Sequence, residues 1–239
     1  MKEYILRYKP FGPSAILIEW PARIEEDILY DILSFEECIP KDPNILDTII
    51  AYHSLTIRYT SEIDFNSKLE QLKKINKFKE IKVKQASKLW KIPVCYDPDL
   101  GPDLKEVAEA KNLSVEEVIK LHTTPNYLVY FIGFQPGFLY LGGLNKKIHI
   151  DRKPSPRLRV PKGSVGIGGE QTGVYPHESA GGWNILGKSP VDFFDANKPE
   201  PCFTKPGDRI KFEPIDLDEF NEVEAAVQEG SYELKYQSL

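Results

Sequence analysis

The sequence predicts two domains: an α+β N-terminal domain of the ferredoxin-like, split βαβ kind, then a closed or nearly closed β-structure. Three observations predict it. The first eighty-five residues alternate strand-like and helix-like periods in the order β-α-β-β-α-β. From Asn126 onward, short β-rich runs recur at close intervals, broken by glycine and proline, with no long helical period between them. A chain of 239 residues, 41% apolar and 28% charged, is long enough to bury a core in each part. The boundary is set at 85/86, giving a small α/β domain over residues 1–85 and a β-barrel domain over residues 86–239.

In the first domain, Ser14–Trp20 (SAILIEW) is a short apolar run that reads as a strand. Ile24, Ile28, Leu29, Ile32 and Phe35 follow at helical spacing. After the turn signals Pro40, Asp42 and Pro43, Asp47–Tyr52 and Leu55–Thr60 read as two strands. Asp64 opens a lysine-rich helix to about Asn76, and Glu80–Lys84 (EIKVK) alternates like a closing strand. Nothing in this domain suggests catalysis. Gln85–Trp90 reads as a connection, and KIPVCY (residues 91–96) as the next strand.

Two helices come next. Asp103–Lys111 places Leu104, Val107 and Ala108 on one face. Ser114 and Glu117 then form a capping-box pattern ahead of Val118, Ile119 and Leu121. His122 closes this helix, where a cationic imidazole would favour the helix dipole. The β-rich pieces after Asn126 are YLVYFIGF, PGFLYLGG, VPKGSVGIGG, TGVYP, GGWNILG and GDRIKFEPI, and their many glycines suggest tight corners and close backbone approach.

Composition narrows the function classes. No apolar run approaches the roughly 18–20 residues of a membrane span. The opening MKEYILRYKP lacks the apolar core of a signal peptide, so a cytoplasmic location is expected. Cys38, Cys95 and Cys202 are far apart and have no C-x-x-C spacing or histidine pair beside them, which argues against disulfides and a metal site. The net charge of −5 disfavours nucleic-acid binding. That charge is unevenly spread. Residues 143–163 hold seven bases (Lys146, Lys147, Arg152, Lys153, Arg157, Arg159, Lys162) against Asp151 alone, while residues 213–239 hold eight acids and Lys235. The basic stretch is either a solvated face or a seat for a small anion.

One motif has to be rejected. GWNILGKS, Gly182–Ser189, fits the phosphate-loop pattern G-x-x-x-x-G-K-[ST]. Its context fails: VYPHESAG before it contains Pro176 and cannot be a central strand. Trp183, Ile185 and Leu186 are too bulky for a phosphate cradle. Pro190 removes an N–H where the phosphate-binding helix should begin.

The same stretch belongs to a longer pattern: IPVCYDPDLGPDLKEVAEAKNLSVEEVIKLHT, then YLVYFIGFQPGFLYLGGL, then PRLRVPKGSVGIGGEQTGVYPHESAGGWNILGKSP. Together these resemble the 5-oxoprolinase B-subunit family, also described as Kip-type kinase inhibitors or the allophanate hydrolase subunit 1 domain. The resemblance is dense from Ile92 to Asp195, continues through PGDRIKFEP and is looser at GPSAILIEW. It implies a cyclophilin-like β-barrel after the small N-terminal domain. It also implies one subunit of an ATP-dependent enzyme, with Mg2+, that opens the lactam of 5-oxo-L-proline to L-glutamate together with its A and C subunits. A Kip-type module that binds a histidine kinase, and a component of a urea- or amide-processing carboxylase system, are the alternatives. The chain departs from the family pattern at Asp151-Arg152, at Ser179–Trp183 and at Lys188, where arginine is frequent.

Candidate site residues fall in the dense β segment. Arg157 and Arg159, two apart, share one side of a strand and either clamp a carboxylate or phosphate or form an exposed basic edge. Gln171 and Thr172 follow the Gly168-Gly169 corner and either donate to a developing oxyanion or cap the turn. Glu178 and His177 lie in an irregular loop suited to acid–base work. Tyr175, Trp183 and His122 complete the set as substrate-binding candidates, with core packing as the bland reading of Trp183. Phe134-Gln135-Pro136-Gly137-Phe138 is a turn between aromatics, either at a subunit interface or packed inside.

Overall fold

A computed structural model describes residues 4–78 and 87–239. The chain divides into two compact units, Met1–Gln85 and Ala86–Leu239.

Unit 1 runs β1 (Arg7–Pro10), β2 (Ala15–Glu19), α1 (Glu26–Glu37), β3 (Ile45–Ala51), β4 (Ser54–Tyr59) and α2 (Phe65–Phe78). The helical spacing of α1 translates into a buried face: Ile28, Leu29, Ile32 and Phe35 are all fully buried. Of these, Ile28, Ile32 and Phe35 meet Ile16, Ile18, Leu55 and Ile57, the inward residues of β2 and β4. At about 1.5–3 kcal/mol for each large side chain withdrawn from water, this layer is what holds the unit together. Trp20 packs edge-on to Phe35 and donates its indole N–H to Asp31 at 2.7 Å, so the buried carboxylate has a partner.

The strand order is β1-β2-β4-β3, all antiparallel. β1 carries no strand signal in the sequence. Its RYKP lacks an apolar alternation and ends in proline, which is tolerated because β1 is an edge strand. The closing strand expected at Glu80–Lys84 lies outside the described residues, and among the described residues β1 takes the edge beside β2.

Unit 2 begins with β5 (Lys88–Cys95), α3 (Leu104–Lys111), α4 (Val115–Thr123), β6 (Tyr127–Ile132) and β7 (Leu139–Gly142). It continues with β8 (Arg157–Val160), β9 (Ser164–Gly168), β10 (Gln171–Val174), β11 (Ser179–Gly181), β12 (Asn184–Lys188), β13 (Arg209–Ile215), α5 (Leu217–Gln228) and β14 (Tyr236–Ser238). The main sheet runs β12-β9-β10-β7-β6-β13-β5, and a β12–β5 pairing at Lys188 and Cys95 closes it into a seven-strand barrel. β14 extends the start of β5. β8 and β11 form a separate two-stranded ribbon.

Closure needs a glycine. A Cβ on Gly187 would overlap the Cys95 carbonyl oxygen, so β12 approaches β5 only because none is present. The core inside the barrel gathers Ile92, Val94, Val129, Leu141, Val165, Ile167, Leu186, Ile210 and Phe212, and α3 and α4 add Val107 and Val118. The expected capping box is present: Glu117 N–H donates to Ser114 Oγ at 3.1 Å, and Ser114 N–H donates to Glu117 Oε2 at 2.7 Å.

The structure differs from expectation at both ends of unit 2. Lys88-Leu89-Trp90 is strand rather than connection, because β13 and β14 pair with it on both sides. Pro93 is allowed further along β5 because β14 no longer reaches it. Helix α5 shows in the sequence only as an acidic stretch. It is capped by Asp216, whose carboxylate accepts from Glu219 N–H at 2.9 Å, and it buries Phe220.

Candidate functional site

Gly182–Ser189 is no phosphate loop. Asn184–Lys188 forms a central barrel strand between β9 and β5, and Trp183, Ile185 and Leu186 are buried. The site forms where the basic stretch 151–159 crosses the head of α3 and β12.

Asp103 organises it, a residue that the sequence marks only as the start of a helix. Its carboxylate does not cap α3. It turns inward, nearly fully buried, and accepts from Arg157 Nη2 at 2.6 Å, Lys153 Nζ at 3.0 Å and the Ile185 backbone N–H at 2.7 Å. Burial pushes this carboxyl's pKa up, and those hydrogen bonds more than reverse it, leaving it below the usual carboxylate range. Lys153 also reaches Glu106 Oε2 at 2.8 Å, which with the Asp103 contact raises its own pKa. Arg157 is therefore a structural partner of Asp103. Arg157 and Ile185 are 54 and 82 residues from Asp103 along the chain, so no local pattern could have shown them.

Beside this cluster lies an aromatic wall. Phe138, Tyr175 and Trp183 pack mutually edge-to-face with Val160 and Ile185, and Tyr140 packs on their side. Gly168 makes room for Trp183, since a Cβ there would stand 2.7 Å from the indole ring. Burial raises the pKa of the Tyr175 hydroxyl. Arg152 covers this wall. Its guanidinium lies 5.8 Å from the Trp183 ring centroid and donates to Gln171 Oε1 at 3.2 Å. Its charge opposes the burial that raises both Tyr140 and Tyr175, and Arg157 acts on Tyr175 in the same way.

Two predicted candidates leave the surface altogether. His122 and Thr172 are fully buried in the barrel. Thr172 Oγ1 donates to Gly166 O at 3.0 Å, so it accepts from His122 Nε2–H at 2.8 Å. That assigns the tautomer and leaves Nδ1 to accept from Tyr96 O–H at 2.7 Å. The imidazole stacks on Phe212 at 4.8 Å. Burial drives its pKa down to about 3, so the expected cation at the helix end is a neutral ring inside the core. With their polar atoms engaged here, neither His122 nor Thr172 presents a group to solvent.

The remaining candidates sit on the outer ribbon. Arg159 and Glu178 face each other at 3.1 Å, both exposed, so Arg159 does not join Arg157 in a clamp. His177 is exposed and stands edge-on to Phe194. The aromatic turn splits: Phe138 is buried in the wall, whereas Phe134 is 67% exposed. The structure thus brings Gln171, Tyr175 and Trp183 together around Arg152, and separates them from Arg159, Glu178 and His177.

A sequence model of the carboxyltransferase domain, subdomain C and D, matches residues 6–204. The B subunit of 5-oxoprolinase from Haemophilus influenzae is 35% identical over 85% of this chain and 95% of its own length. The Bacillus subtilis protein of the same name is 38% identical over 84% of this chain and 89% of its own. The chain belongs to the 5-oxoprolinase B-subunit family.

Among solved structures, TTHA0988 is 33% identical over 89% of this family member, with a TM-score of 0.74. The chain spans 40% of the length of that protein. The urea amidolyase of K. lactis superposes with a TM-score of 0.84 at 18% identity, a likeness of fold. Family membership accounts for the density of matches between Ile92 and Asp195, where the site residues also lie.

Proposed function

We propose that this chain is the B subunit of a heteromeric, ATP-dependent 5-oxoprolinase, which hydrolyses 5-oxo-L-proline to L-glutamate together with its A and C subunits. The observation that carries it is identity of 35–38%, over nearly the full length of each relative, to proteins that bear the 5-oxoprolinase B-subunit name. In this reading unit 2 is a cyclophilin-like barrel, unit 1 a ferredoxin-like domain, and the complex works in the cytoplasm.

Opening an unactivated lactam calls for ATP, with Mg2+, to activate the amide oxygen. The phosphate-loop match, Gly182–Ser189, is a barrel strand and does not fit a nucleotide, and no step through ATP is assigned to this chain. What the barrel supplies is a polar wall rather than a nucleophile. Arg152, Gln171 and the neutral tyrosine hydroxyls suit binding and orientation of a small anionic substrate, and they act fully only once a docked partner excludes water.

The test is reconstitution. The chain mixed with its native A and C subunits, 5-oxo-L-proline and ATP is expected to release glutamate, and omission of any one protein is expected to abolish it. Undiminished glutamate release without this chain contradicts the proposal. So does capture of a histidine kinase from its native cell in place of the A and C subunits.

A further inference from the structure

Five cations lie on the stretch from Arg152 to Lys162, and four of them are neutralised. Lys153 binds Asp103 and Glu106, Arg157 binds Asp103, Arg159 binds Glu178, and Lys162 binds Asp192. Arg152 differs. Among the described residues its guanidinium meets only the Gln171 amide oxygen and the face of Trp183, so its charge has no carboxylate partner.

It is also held in place. The Trp183 ring lies beside the guanidinium, Gly168 leaves room for that ring and Tyr175 packs edge-on to it, and Gln171 occupies only one of the five N–H donors. A planar cation that is anchored at one N–H, exposed and without a carboxylate partner is prepared for a planar anion, and guanidinium meets carboxylate with two parallel hydrogen bonds. Little side-chain freedom is then lost on binding.

We infer that Arg152, which the sequence does not single out as a site residue, is the specificity-determining group that takes the carboxylate of 5-oxo-L-proline, with Gln171 and Trp183 as its positioning residues. This rests on the proposed 5-oxoprolinase reading. Arg157 and Arg159 differ from it in that Asp103 and Glu178 already offset their charges, although Arg157 Nη1 is buried without a partner.

The experiment compares the reconstituted three-subunit assembly carrying wild-type chain, Arg152→Gln and Arg152→Lys. Substrates are 5-oxo-L-proline and its carboxamide, which lacks the negative charge, and KM is also taken for ATP. The expected result for Arg152→Gln is a rise in KM for the acid on the order of 10- to 100-fold, the usual worth of a charge-assisted pair. KM for the carboxamide and for ATP is expected to stay level, so discrimination between acid and amide narrows. Arg152→Lys is expected to fall between, keeping charge without the fork.

Equal changes for acid and amide would mean a merely structural residue and overturn the inference. A rise confined to ATP would mean a phosphate contact and overturn it too, as would no change at all. In each of those cases wild-type turnover leaves the 5-oxoprolinase reading standing. A wild-type assembly that cleaves no 5-oxo-L-proline removes both.

Discussion

The barrel carries a neutral polar chain at Tyr96–His122–Thr172 and a charged one at Asp103–Lys153–Arg157, and the two solve burial differently. In the first, each donor has an acceptor and the imidazole stays uncharged, so the chain can be sealed in the core without desolvating an ion. In the second, a buried carboxylate is kept ionised by two cations and a backbone N–H at the rim of the barrel. The first ties α4 to β10 and β9. The second ties α3 and β12 to the basic stretch, and it fixes the frame beside which Arg152 is left unpaired. An offset charge marks the structural cluster, and the uncompensated charge marks the binding one.

The comparison breaks most visibly at Asp103. Asp103→Ala leaves Arg157 and Lys153 facing each other without their shared anion and frees the Ile185 N–H. A loss of about 3–5 kcal/mol is expected in urea unfolding, the range for one partner removed from a buried ion pair. A loss below about 1 kcal/mol would place Asp103 among surface charges.

The two clusters also separate by pH. His122 has a folded pKa near 3 against 6.5 unfolded, so below pH 6.5 the unfolded state takes up a proton that the folded state refuses. Stability is whole above pH 6.5 and falls as pH drops from there. Asp103 has its pKa lowered in the fold, so its contribution is present above its unfolded value of 3.8 and is lost only below that, as pH falls through the folded pKa. Urea midpoints from about pH 7 to about pH 4.5 are therefore expected to decline less steeply in His122→Gln than in wild type. Parallel slopes would mean that His122 titrates freely.

A smaller effect is expected where the barrel closes. Gly187→Ala sets a methyl against the Cys95 carbonyl and is expected to cost about 1–3 kcal/mol by overpacking, read from the urea midpoint. The smallest belongs to the outer ribbon. Arg159→Gln breaks an exposed pair and is expected to move stability by about 0.5 kcal/mol or less.

Local physics is legible in the sequence and long-range physics is not. The Ser114–Glu117 box, the α1 face and the failure of Gly182–Ser189 as a phosphate loop each depend on residues within a turn or two. Asp216 and Glu219 offer the same kind of cue for α5, but it is masked because the segment reads as a run of acids with one buried aromatic, Phe220. Asp103 and Arg152 carry no such cue. Asp103 looks like a helix start until Arg157 and Ile185 are folded onto it, and Arg152 is one of seven bases until its neighbours find their carboxylates. Spacing predicts that Arg157 and Arg159 share one side of a strand. It cannot show that Asp103 and Glu178 already occupy them.

KM for 5-oxo-L-proline in the Arg152→Gln assembly, read beside the urea midpoint of the same variant, tests the division between holding the fold and holding the substrate most directly. A rise in KM on the order of 10- to 100-fold with an unmoved midpoint is the predicted result. An unchanged KM with a lowered midpoint would place Arg152 with Asp103 and His122 among the residues that only support the barrel.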